Sequence, residues 1–245
     1  MALQPVQRNS QRLTGVLLVV GAVVGAIGNA LHPHVAVSMA EKLQTIAANE
    51  AWVVIHLTIL VAILLVIGGL VGLARLLADG PGGSLATIGV AAALVGGAVA
   101  TVSTSIDGFA MKPLALSWAA VPESDATAVR ILAETVQTVG FGIWSMGMLV
   151  LFGLAFACFG TAFVASARFP AWLGSMAIAA GVGSAVAALL QIANTGEVQV
   201  AETLFFASSL LATLWAFVTG VLVWRDGRDR SHLLAQPEPA LGIKR

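Results

Sequence analysis

The side chains able to do chemistry in this sequence are few and sit at the ends of apolar stretches. His32 closes the first stretch, because Pro33 disfavours α geometry at the residue before it, and His34 follows at once. His56 lies four residues after Trp52, about one turn deeper in the second stretch. Asp107 closes the third, four residues after Ser103 and on the same face. Glu134 and Gln137 stand three apart in the fourth helix, and Ser184, Gln191 and Asn194 form one polar stripe on the fifth. Asn29, a turn before His32, and Glu202, at the start of the sixth, complete the set.

Imidazole and carboxylate are suitable ligands for a divalent cation. His32, His34 and His56, with Asp107 or Glu134, are the first metal set to test. A His56–Glu134 pair is the alternative, a proton-sensitive switch in which the carboxylate raises the imidazole pKa. Gln137, Gln191 and Asn194 add amide donors to a ligand site made with His56, Asp107 and Glu134. Against this stands a simpler account. Histidines at a helix end near the membrane surface need no function, and buried amides serve equally as interhelical hydrogen-bond partners. The spacing matches no HExxH motif, and HxH alone has little specificity.

Composition dictates the scaffold that positions these groups. Of 245 residues, 58% are apolar and 10% charged, with mean hydropathy +0.95, whereas soluble domains carry roughly 25% charged residues. A water-soluble globule is excluded, as is a disordered chain. Zero net charge gives no basic excess for nucleic acid. One cysteine excludes a disulfide framework and a multi-thiolate zinc site. No nucleotide-binding glycine motif, P-loop or GxSxG elbow occurs. Haem is not expected either, since histidine pairs at both membrane faces are absent.

A bilayer core of ~30 Å takes about 20 apolar residues per helix. Six stretches qualify: Leu13–Leu31, Ala51–Leu77, Leu85 to about Ile106, Val139–Ser166, Ala171–Ala193 and Ala201–Trp224. The expected fold is all-α, a polytopic bundle of six transmembrane helices occupying residues 13–225. Residues 1–12 form a cytoplasmic segment and 226–245 a flexible cytoplasmic tail. No lysine lies inside a helix of this bundle, which excludes a retinal Schiff base. The first stretch is longer than a signal-peptide core of about 7–15 residues and reads as a retained helix.

Basic residues set the orientation. Arg8, Arg12, Arg75, Arg168, Arg225, Arg228, Arg230, Lys244 and Arg245 fall on the side of the termini, and only Lys42, Lys112 and Arg130 on the other. Both termini are therefore expected in the cytoplasm of a plasma-membrane protein. Trp52 and Trp118 then mark the outer interface, and Trp172 and Trp224 the inner one. The segment Val37–Ile46 reads as a short outer amphipathic helix, and Asp107–Pro113 as part of an outer loop. The fourth helix is expected to start outside the hydrocarbon or to bend near Gly140 and Gly142. Small residues such as Gly21, Gly25, Gly96 and Gly181 allow close helix packing.

The runs Gly28-Asn29-Ala30-Leu31-His32-Pro33, Trp52-x-x-x-His56, Asp107-Gly108-Phe109-Ala110-Met111-Lys112 and Arg168-Phe169-Pro170-Ala171-Trp172-Leu173-Gly174 resemble those of an uncharacterised actinobacterial family of six-helix membrane proteins. The resemblance covers roughly residues 13 to 225. It implies a plasma-membrane location and points to His32, His56 and Asp107, but brings no substrate, cofactor or catalytic residue. The polar groups all fall in the outer half, so the leading expectation is an outward-facing pocket that binds or transports an ion or small ligand. The alternatives are an accessory subunit that packs against membrane-protein partners or its own copies, and a metal-dependent membrane hydrolase.

Overall fold

The computed structural model describes residues 5–33, 38–166, 168–193 and 198–234. His34, Asn194, the Thr195-Gly196-Glu197 connector and the tail beyond Leu234 lie outside them. Among the described residues every regular element is helical. Helix α1 spans Pro5–Leu31, α2 Met39–Ala48 and α3 Trp52–Leu77. Helix α4 (Gly83–Thr104) runs through a π-helical turn, Ser105–Ala110, into α5 (Met111–Ala120). In the same way α6 (Glu123–Gly147) runs through a π-helical stretch, Met148–Ala155, into α7 (Phe156–Ala165), and α8 (Ala171–Ala193) and α9 (Val198–Leu234) follow.

Six of these tracks are long and apolar enough to cross a bilayer. Leu13, Leu64, Leu189 and Leu210 are each more than half exposed, a belt of apolar surface that water would not tolerate and lipid would. The chain is a multi-pass membrane protein. Its core gathers Leu18, Leu70, Leu73, Phe159, Phe163 and Trp215, all fully buried. Gly96 fits there for want of a side chain, since a Cβ would strike the backbone of Leu151 in the second π stretch.

Two tracks exceed what a bilayer needs. Gly83–Ala120 has 38 residues and Glu123–Ala165 has 43, about 57 and 65 Å at 1.5 Å per residue. Their surplus turns, α5 and the start of α6, form a cap at one end of the bundle with α2. Ser38 starts α2 with a capping box: its hydroxyl accepts from Glu41 N, and the Glu41 carboxylate accepts from Ser38 N, both at 3.3 Å. The helix ends against the Lys112 ammonium, which donates to the carbonyls of Ile46, Ala47 and Asn49 at 2.8–3.1 Å. A cation is well placed at that negative helix end. Leu43, Ile46, Trp52, Met111, Ala115 and Ala133 fill the space beneath.

Several expectations are corrected here. The third helix does not end at Asp107, and Asp107–Pro113 is helix rather than loop. Pro113 has no N–H and its ring crowds the carbonyl at i−4, so the π turn just before it lets the track continue. The irregularity in the fourth track falls at Met148–Ala155, while Gly140 and Gly142 stay in regular α-helix. Lys42 and Lys112 both lie on helices, and Lys112 belongs to the long third track. Trp52, the first residue of its membrane-crossing helix, is fully buried, because His32, His56 and the π turn surround its indole. The first helix starts eight residues before Leu13, and the last continues to Leu234, past Arg225.

Candidate functional site

Four elements converge beneath the cap. The end of α1 supplies His32, α2 supplies Lys42, α3 supplies Trp52 and His56, and the π turn supplies Asp107. Gly108 makes the approach of α3 possible, because a Cβ there would collide with the Cβ and ring of His56. In a π turn the backbone hydrogen-bond ladder shifts register. The Asp107 carbonyl accepts from the Trp52 indole N–H at 2.9 Å, which ties α3 to the turn one helical turn before His56.

The two imidazoles are oriented alike. Nδ1 of His56 lies 2.8 Å from the Trp52 carbonyl, and Nδ1 of His32 lies 3.0 Å from the Pro33 carbonyl. A carbonyl oxygen only accepts, so each Nδ1 carries the hydrogen. Each neutral ring then presents a bare Nε2. Both Nε2 atoms face the same oxygen, Asp107 Oδ2, at 3.1 Å from His56 and 4.0 Å from His32. The three ligand atoms lie within 4.8 Å of one another. Two lone pairs directed at a carboxylate oxygen repel it unless a cation lies between them, either a proton or a metal ion.

Lys42 stands on the other carboxylate oxygen. Its ammonium is 3.4 Å from Asp107 Oδ1, an oxygen that is buried and accepts no hydrogen bond. The same ammonium donates to Gln137 Oε1 at 2.5 Å and lies 5.9 Å from the centre of the Phe141 ring. His32, at the mouth of the bundle, is held below its ordinary value of 6.5 by burial first and by the neighbouring His56 second, with Asp107 pulling the other way. These groups line a cavity of about 830 Å³, to which Asn29, Ser103, Gln199 and Glu202 also contribute.

The sequence-derived set is only partly assembled. His32, His56, Asp107 and Gln137 come together. Glu134 does not; it pairs with Arg130, one turn away on its own helix, with its side chain 43% exposed. The His56–Glu134 pair is therefore replaced by His56–Asp107. Gln191 is half-buried near the end of α8 and does not line the cavity. His34 and Asn194 lie outside the described residues. Lys42 was missed, although it shares the face of Met39, Leu43 and Ile46, the buried face of α2. Polar groups are not confined to this end: at the other, Gln11 on α1 donates to Asp226 on α9 at 2.7 Å.

No curated protein and no solved structure matches the chain. One family model does, over residues 13–226, which takes in nearly all of the bundle and every residue of the cluster. The chain belongs to the family described as Domain of unknown function (DUF4386).

Proposed function

We propose that the protein binds a divalent transition-metal ion through His32 Nε2, His56 Nε2 and Asp107 Oδ2, with an open coordination position turned to the cavity. The observation that carries this is the pair of Nδ1-anchored imidazoles aimed at one carboxylate oxygen. Metal-bound histidines typically donate their other ring N–H to a carbonyl or carboxylate in this way, which fixes the tautomer.

Ligand atoms about 2.1 Å from a tetrahedral ion stand about 3.4 Å apart. His56 and Asp107 are already at 3.1 Å, and His32, at 4.0 Å, has to move in by about 0.6 Å. Two imidazoles and one carboxylate suit zinc or ferrous iron rather than magnesium or calcium. Three protein ligands leave room for an exchangeable fourth. Lys42 holds the far carboxylate oxygen and so fixes which one faces the ion.

The charge asymmetry of the connecting segments supports cytoplasmic termini and a site on the outer side of the plasma membrane. The function is then capture of an ion, and through it of a small ligand, from that side. Elemental analysis of full-length protein purified without chelator tests this. One equivalent of zinc or iron per chain is expected in the wild type and less than a tenth of that in His56→Ala. Equal metal content in the two would overturn the assignment.

A further inference from the structure

We infer that the ligand of this cavity is an amphiphile: an anionic head sits at the His32–His56–Asp107 cluster, and a single hydrocarbon chain lies in a slot beneath it. This rests on the metal reading for the head alone; the chain is argued from separate observations.

The polar cavity adjoins a second one. Asn29, Ile59 and Trp144 line both it and a second, narrower cavity of about 100 Å³. That slot descends between α1, α3, the second π stretch and α9, walled by Gly21, Ala62, Val66, Phe152, Phe156 and Ala216. Its depth follows from the helices: Asn29 to Gly21 on α1 is eight residues, about 12 Å at 1.5 Å per residue. One leaflet's share of a ~30 Å hydrocarbon core is about 15 Å. The slot therefore reaches most of the way down one leaflet and takes the upper part of a single hydrocarbon chain.

Beyond Asn29, whose amide donates to the Gly25 carbonyl at 2.8 Å, and the Trp144 indole, both at its mouth, the slot offers water few partners. Its two hydroxyl residues are satisfied on their own helix, Ser209 Oγ donating to the Phe206 carbonyl at 2.9 Å and Thr213 Oγ1 to the Ser209 carbonyl at 2.8 Å. A buried water needs two to four polar partners, and apolar cavities of order 100 Å³ stay dry and take up small hydrocarbons. Phe205 meets Trp144 edge-on at 5.6 Å and Phe152 at 5.3 Å, so aromatic rings stand where the two spaces adjoin. The head end has the opposite character. With a divalent ion bound, that ion and Lys42 outweigh Asp107 and Glu202 by one positive charge. A phosphate or carboxylate oxygen fits the open coordination position; a neutral head leaves that charge unanswered.

The test uses full-length, zinc-loaded protein in nanodiscs, with binding of hexyl phosphate, hexanoate and inorganic phosphate followed by calorimetry. Hexyl phosphate is expected to bind at least tenfold more tightly than inorganic phosphate, and hexanoate reports whether a carboxylate head serves as well. Ser209→Phe, which fills the slot, should remove the tenfold advantage while leaving zinc content and phosphate affinity unchanged. Thr213→Phe is the second blocking variant if the first does not fold. Equal affinity for the two phosphates in the wild type, or an advantage that survives both substitutions, would overturn the chain slot. Absence of zinc with the chain advantage intact would remove the metal and keep the slot. Normal zinc content without the advantage would do the reverse.

Discussion

His56 and Asp107 are joined twice: side chain to side chain, Nε2 to Oδ2 at 3.1 Å, and through Trp52, whose carbonyl holds His56 Nδ1 and whose indole holds the Asp107 carbonyl. The arrangement fixes both the tautomer of the imidazole and the angle of the π turn. Trp52 is fully buried, and its carbonyl contact with His56 is buried too, while the indole bond to the Asp107 carbonyl is partly buried.

Asp107→Asn keeps the shape and removes the charge. Metal binding should be lost, and Lys42, only 10% exposed, is left without its anion. Breaking a fully buried pair costs about 3–5 kcal/mol; Asp107 is a third exposed, so a loss of about 1–3 kcal/mol is expected after allowing for screening. Adding Lys42→Met should recover most of it, as read from denaturant unfolding in detergent.

Gly108→Ala tests the contact that lets α3 approach the turn. Its Cβ meets the Cβ and ring of His56, and overpacking of this kind costs about 1–3 kcal/mol. Because the displaced group is the proposed ligand, metal affinity should fall at least tenfold, whereas Gly142→Ala, which meets nothing, should change neither quantity.

Lys112→Met removes three hydrogen bonds to the end of α2. Hydrogen bonds to charged groups contribute about 1.5–3 kcal/mol each at most, and the loss should appear locally. Limited proteolysis is expected to cut within Met39–Ala48 much faster than in the wild type, with the membrane helices still protected.

The metal-free protein should lose stability on acidification. His32 in the fold has a pKa below 6.5, so below that pH the unfolded chain binds more protons than the folded one. Stability from this group is complete above about 6.5 and falls as the pH drops toward the folded value. A thermal melt from pH 7.5 to 5 should show the decline, and His32→Gln should flatten it.

The membrane architecture is legible because burial in lipid demands about 20 apolar residues at a time, a signal no local detail hides. The candidate site is legible by residue type, since His32, His56 and Asp107 stand out against so apolar a background. Its pairing is less so. Arg130 at i−4 already offered Glu134 a partner on its own helix, a signal that favours Asp107 as the partner of His56. The π turn has no hydrophobic period of its own, and Asp107-Gly108 followed by Pro113 reads as a helix end. Placing Asp107 outside the helix also hid Lys42, whose burial depends on the cap that the continued track builds.

The central claim is tested most directly by calorimetric titration of chelator-treated, full-length protein with zinc chloride, run on the wild type, His56→Ala and Glu134→Gln. One high-affinity site per chain in the wild type and in Glu134→Gln, and none in His56→Ala, is the predicted result. No site in the wild type, or an unchanged site in His56→Ala, would contradict it.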